Sequence, residues 1–152
     1  MEGNIKKSSS DESKKEKRQV PVAENLFTMP SSPDEESHMM GSRCNSCSEV
    51  FFPKQNICPN CSKEDMEELI LSRRGQLYSY TVVRQRPSDY KGVNVPYALG
   101  QIELPERVRV TSLLVGCDFD KLKVGMQMEM VIEKLYEDEE GNDVMAYMFK
   151  PV

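Results

Sequence analysis

The sequence predicts a mainly β chain with three parts: an extended, charged N-terminal arm, a small metal-bound ribbon and a five-stranded barrel. Three observations carry that prediction. Cysteines 44, 47, 58 and 61 fall in two C-x-x-C pairs separated by ten residues. Residues 72–152 run through five segments of alternating apolar and polar character, divided by turn residues. Residues 1–19 hold one isoleucine among serines, lysines and acids.

The arm comes first. Residues 1–19 have six Lys/Arg against four Asp/Glu. They cannot bury enough apolar area to offset their ordering entropy, so disorder is expected. Residues 20–41 differ, with Val20, Val22, Leu26, Phe27 and Met29 among three prolines that forbid a long helix. Ser32-Pro33-Asp34-Glu35 has the form of a helix start. We expect an extended or short-helical docking segment, lying on a partner because the neighbouring ribbon is too small to cover it.

The ribbon, residues 42–71, is organised by Cys44, Cys47, Cys58 and Cys61. Two such turns supply four thiolates in a tetrahedron, the donor set of a structural zinc site with no ligand position left open. Disulfides, a redox pair and a four-sulfur iron site are the competing readings. Without a secretory signal, an intracellular chain keeps its thiols reduced. Zinc in such a site contributes on the order of 10–16 kcal/mol, enough to order a ribbon with almost no core. Short strands are expected at residues 50–53 and 67–71, with Phe51 and Phe52 over the metal cluster. His38, the single histidine, precedes Cys44 by six residues and is not needed.

The barrel, residues 72–152, follows. Strands are expected over 76–86, 97–104, 108–116, 127–136 and 143–149. Gly100 marks a bulge, residues 117–125 form a connector with one helical turn closed by Gly125, and residues 137–142 form a hairpin loop. Five antiparallel strands with a connector between the third and fourth fit an OB-fold barrel, with a small sandwich as the alternative.

Charge is unevenly placed within a net of -5. Residues 72–110 carry seven Lys/Arg against three acids, and residues 127–143 carry seven acids against Lys134. Arg73, Arg74, Arg84, Arg86 and Lys91, with Tyr90, are candidates for a phosphate-bearing ligand or an acidic partner. The negative net charge disfavours wholesale nucleic-acid binding, although Tyr78, Tyr80 and Tyr90 could stack bases. No apolar run reaches about eighteen residues, so no membrane span is expected, and the expected location is cytoplasmic. We find no catalytic constellation: Cys117 has no evident base, and Asp118 with Asp120 reads as loop capping. A binding or assembly module is the expectation.

The motifs also resemble a known family. Cys44, Cys47, Cys58 and Cys61 with Phe51-Phe52-Pro53 between them, then residues 74–83 (RGQLYSYTVV), 96–100 (PYALG), 117–126 (CDFDKLKVGM) and 149–151 (FKP), are similar to the proteins that accompany thiolases. Those have a rubredoxin-like zinc ribbon followed by an OB fold. The resemblance covers residues 42–152. It implies a non-catalytic small subunit bound to a thiolase, to an acyl-CoA hydratase, or between a thiolase and hydroxymethylglutaryl-CoA synthase. It also implies that the nucleophilic cysteine belongs to the partner in a hetero-oligomer such as a heterotetramer. The subunits of benzoylsuccinyl-CoA thiolase are the nearest subgroup. On this reading the barrel helps form a CoA entrance, with Arg73, Arg74, Arg84, Arg86 and Lys91 as phosphate contacts. Ser62 departs from the pattern, standing where such sites often have glycine.

Overall fold

A computed structural model describes residues 17–89 and 92–152. Most of the predicted arm, residues 1–16, lies outside the described residues, as do Tyr90 and Lys91.

The described chain is β throughout except for one 3-10 turn, Phe119–Lys121. Its nine strands in order are β1 (Gln19–Pro21), β2 (Met40–Cys44), β3 (Val50–Phe51), β4 (Met66–Ile70), β5 (Arg74–Val83), β6 (Tyr97–Glu103), β7 (Arg109–Leu114), β8 (Gln127–Glu137) and β9 (Asp143–Pro151). The ribbon is a three-stranded sheet in the order β3-β2-β4. The barrel sheet runs β1-β9-β7-β6-β5-β8 and closes where β8 pairs with β9.

The five expected barrel strands are β5 to β9. Along β6 the buried residues are Tyr97, Ala98, Gly100 and Ile102, and along β7 they are Val110, Ser112 and Leu114. This is the period-2 pattern of sheets with one buried face. The connector carries the expected turn: Asp118 accepts from the Asp120 amide, and Gly125 has φ +92°.

Gly100 is not at a bulge. It sits in register between Tyr80 and Ser112, and the irregularity lies opposite, between Leu77 and Ser79 of β5. The glycine is needed for space instead. A Cβ there would lie 2.9 Å from side-chain carbons of both Leu77 and Leu114.

Part of residues 20–41 packs on this chain itself. β1 adds in parallel to β9, with Gln19 opposite Asp143 and Pro21 opposite Met145. Phe27 bridges Met39, and both are buried in the same core as Leu77, Ile102, Met130 and Phe149. The barrel supplies the cover that the ribbon could not. The Ser32-Pro33 helix start is a turn, with the Glu35 amide on the Ser32 carbonyl at 3.2 Å.

Ribbon and barrel are in contact at several points. The Leu71 amide donates to the Met39 carbonyl, and Leu71 is buried. Glu106 accepts from the Ser72 amide at 2.7 Å and from its hydroxyl at 2.6 Å. Phe52 is expected over the metal cluster, and its ring contact is with the barrel. It packs edge-on against Tyr147 of β9 at 5.5 Å, and Phe27 meets the same ring at 6.3 Å. Tyr147 therefore touches ribbon, arm and barrel at once.

Candidate metal centre and surrounding surfaces

The four cysteines converge. The sulfurs of Cys44 and Cys61 are 3.6 Å apart, as are those of Cys47 and Cys58, and all four lie within 4.8 Å of one another. Sulfurs about 2.3 Å from a central zinc in a tetrahedron stand about 3.8 Å apart. The cluster therefore has the size and donor type for such an ion. Cys44 and Cys58 are buried, and Cys47 and Cys61 are partly exposed.

The two halves of the site repeat one turn. The Ser48 amide donates to the Cys44 carbonyl at 2.8 Å, and the Ser62 amide donates to the Cys58 carbonyl at 2.8 Å. The Cys44 amide reaches Glu49 and the Cys58 amide reaches Lys63, each at 2.9 Å. Ser48 and Ser62 have φ +66° and +63°. The serine at 62 thus has a twin at 48, legible in the sequence as C-x-x-C-S repeated.

Backbone amides tune the sulfurs. The Glu49 amide, with the Asn60 side chain, draws the Cys47 thiol down to about 6. The Lys63 amide also favours the Cys61 thiolate, yet burial and the neighbouring sulfurs lift it to about 11. Four thiolates this close repel one another, and a central dication reverses that balance by making every sulfur a ligand. Asn45 clips the first knuckle to the approach of β4, through its amide on the Asp65 carbonyl and its side chain on the Asp65 carboxylate.

The arginines are not brought together. Arg74 starts β5 and Arg84 follows its end, so about 30 Å of strand separates them. Arg73 is engaged internally: its guanidinium donates to the Met130 carbonyl at 2.9 Å and lies 3.4 Å from Glu36. Arg74 faces Glu129 at 3.6 Å. Arg84 and Arg86 are exposed at the far end of β5. Lys91 lies outside the described residues.

Of the tyrosines considered for base stacking, Tyr90 lies outside the described residues, and Tyr78 and Tyr80 make contacts within the chain. Arg109 lies 3.6 Å over the Tyr78 ring and holds Glu103 at 2.9 Å. The Tyr80 hydroxyl donates to the Leu122 carbonyl. Cys117 follows β7 and is half-buried, with burial pushing its thiol up. His38 joins the Phe27–Met39 bridge through its backbone.

Comparison with known proteins agrees with this architecture. The family description "ChsH2, rubredoxin-like zinc ribbon domain" matches residues 35–67, and "ChsH2, C-terminal OB-fold domain" matches residues 70–133. A "DUF35 domain-containing scaffold protein" of Methanocaldococcus jannaschii is 39% identical over 75% of this chain and 82% of its own length. The chain belongs to the DUF35 family. A DUF35 scaffold protein of Methanothermobacter thermautotrophicus is 41% identical over 74% of this chain and 84% of its own. Benzoylsuccinyl-CoA thiolase subunit BbsA of Thauera aromatica is 30% identical over 76% and 75%. Among solved structures, the "Ltp2-ChsH2(DUF35) aldolase" superposes with a TM-score of 0.62 at 28% identity, covering 75% of this chain and 84% of that one. The four cysteines lie within the stretch matched by the zinc-ribbon description and are placed to hold a metal ion. No helix among the described residues is long and apolar enough to cross a membrane.

Proposed function

We propose that this DUF35 protein is a non-catalytic scaffold subunit of a thiolase-type acyl-CoA C-acyltransferase, bracing the catalytic subunit in a cytoplasmic hetero-oligomer. The observation that carries the reading is the 30% identity to a benzoylsuccinyl-CoA thiolase subunit over three quarters of both chains. The contacts between ribbon and barrel support it, because a brace must transmit position through its middle. In this reading Cys44, Cys47, Cys58 and Cys61 hold a structural zinc. The ion supplies cross-linking and no chemistry, and the thiolysis cysteines belong to the partner.

The acyl group follows less directly. Identity is greater to the scaffold proteins, at 34–41%, than to the benzoylsuccinyl-CoA thiolase subunits, at 29–30%. Benzoylsuccinyl-CoA is accordingly the first ester to assay and not the only one. Arg73, Arg74, Arg84, Arg86 and Lys91 are the candidates for CoA phosphates at a shared entrance, with Arg73 and Arg74 lying beside Glu36 and Glu129.

The test is reconstitution of activity. The acyltransferase that co-purifies with this chain is stripped of it, assayed for CoA-dependent cleavage of benzoylsuccinyl-CoA and simpler 3-oxoacyl-CoA esters, and assayed again after the zinc-loaded chain is returned. The proposal expects cleavage to fall on stripping and recover on return. Cleavage indifferent to the chain would overturn it.

A further inference from the structure

β4 lies at one side of the ribbon sheet, so its outer backbone edge carries no strand among the described residues. Its inner edge is fully used, with five register pairs to β2. Beside β4 runs a hollow of about 600 Å³ whose lining includes Lys54, Ile57, Glu64, Met66, Glu67 and Glu68. Three carboxylates there stand against one ammonium, which lies 3.0 Å from Glu68, and the Arg43 guanidinium of β2 lies 3.9 Å from Glu67. Ile57 and Ile70 flank the hollow and the strand, each more than half exposed (53% and 51%).

We infer that the β4 edge is a docking seam for an extended, cationic segment of the partner, which adds to the ribbon as a fourth strand. The inference rests on the proposed function, which makes the catalytic subunit that partner. Main-chain groups of the added strand would meet the outer edge of residues 67–70, the Met66 amide being taken by the Glu64 carbonyl at 3.0 Å. Met66, Glu68 and Ile70 share one face by the period of a strand. Basic side chains of the added strand on that face meet Glu68, those on the opposite face meet Glu67, and apolar ones cover Ile70. This is strand addition, in which the backbone gives affinity and alternate side chains give specificity.

Edge glutamates alone serve to keep strands apart. Here they accompany two exposed isoleucines and a hollow, which a purely protective edge does not need. Their sign instead selects the entrant, admitting a basic strand and repelling an acidic one. A second copy of this chain fits poorly, because antiparallel β4 edges would bring Glu67 and Glu68 of the two copies together.

The test uses the native complex. Backbone hydrogen exchange of residues 67–70 is compared between the zinc-loaded free chain and the chain bound to its acyltransferase. Assembly is then measured for the Glu64→Lys/Glu67→Lys variant and, separately, the Ile57→Ser/Ile70→Ser variant. Zinc content and circular dichroism matching the parent show that each variant is folded. Exchange at residues 67–70 should slow about tenfold or more in the complex. Both variants should bind about tenfold or more weakly, since each tenfold is about 1.4 kcal/mol. Unchanged exchange, or an acyltransferase held equally by parent and variants, overturns the inference and leaves the proposed function standing. Protection of β4 in a homodimer overturns the choice of partner. A parent chain that holds no acyltransferase removes the proposed function and this inference with it.

Discussion

At the residue scale, the metal centre depends on four sulfurs and the backbone turns that aim them. Cys58 is buried, and its carbonyl and amide both hold the second knuckle. Cys58→Ser removes a thiolate that no neighbour replaces. The expected outcome is loss of stoichiometric zinc, read by atomic emission, with rapid proteolysis within residues 42–71. Ser62 behaves differently. Left-handed backbone costs a non-glycine residue about 1–2 kcal/mol, while glycine loses more chain freedom on folding by about 0.5–1 kcal/mol. The two effects nearly offset, so Ser62→Gly should shift unfolding by less than about 1 kcal/mol. Gly41 has no such latitude, because a Cβ there would lie 2.6 Å from the Phe51 carbonyl oxygen. Gly41→Ala should destabilise the chain by about 1–3 kcal/mol in a denaturant titration, since backbone must move apart.

At the element scale, two joints hold the molecule together. Tyr147 meets Phe52 and Phe27, and its hydroxyl donates to the Thr111 carbonyl. Tyr147→Ala should cost about 3 kcal/mol, whereas Tyr147→Phe should cost about 1 kcal/mol for the lost hydrogen bond. Because the ring spans three elements, the larger loss should appear in one cooperative transition. The second joint is electrostatic. Lys17 lies 3.1 Å from Glu137 and 3.2 Å from Asp143, and Lys134 shares both acids. The Lys17 hydrogen bond holds Glu137 below the usual carboxylate range, and the Lys134 hydrogen bond does so for Asp143. A depressed folded pKa gives stability that is present above the unfolded value and lost as pH falls through the folded one. Glu137 chiefly keeps the Lys17 ammonium charged to higher pH than usual. The Val22 amide, bonded to the Met145 carbonyl, should therefore exchange at a steady degree of protection from about pH 5 to pH 9. After correction for intrinsic rates, protection should fall below about pH 4 while that of Phe149 holds.

These elements also explain what the sequence disclosed. The knuckles and β5 to β9 are local patterns, spacing in one case and alternation in the other, so they were legible. β1 is not local: three residues pair with β9 across more than a hundred positions, and nothing in Gln-Val-Pro announces a parallel partner. The segment 20–41 reads as a docking element when the ribbon alone is weighed as its cover, and Phe27 and Met39 enter the barrel core. The arginines are neighbours in charge plots but not in space, since an extended strand separates Arg74 from Arg84. The register slip beside Tyr78 leaves the alternation of β5 superficially intact, whereas Gly100 reads as a bulge only because it is a glycine inside a strand. Tyr147 carries no sequence signal, because a joint is defined by what meets there.

At the scale of the whole molecule, the ribbon and barrel share core contacts, and the free surfaces lie around that unit. One is the β4 edge. A scaffold subunit needs this division, with packing inside and recognition outside. Zinc removal by a strong chelator should accordingly do more than unfold the knuckles. Through Phe52 and Leu71 it should also lower the barrel's unfolding midpoint, seen as faster exchange in β9.

The most direct measurement is the intact mass of the assembly isolated under mild conditions from the native cells. The account predicts this chain bound to a thiolase-type acyltransferase, with one zinc per copy. The chain found alone, zinc-loaded and with no acyltransferase at any salt concentration, would contradict it.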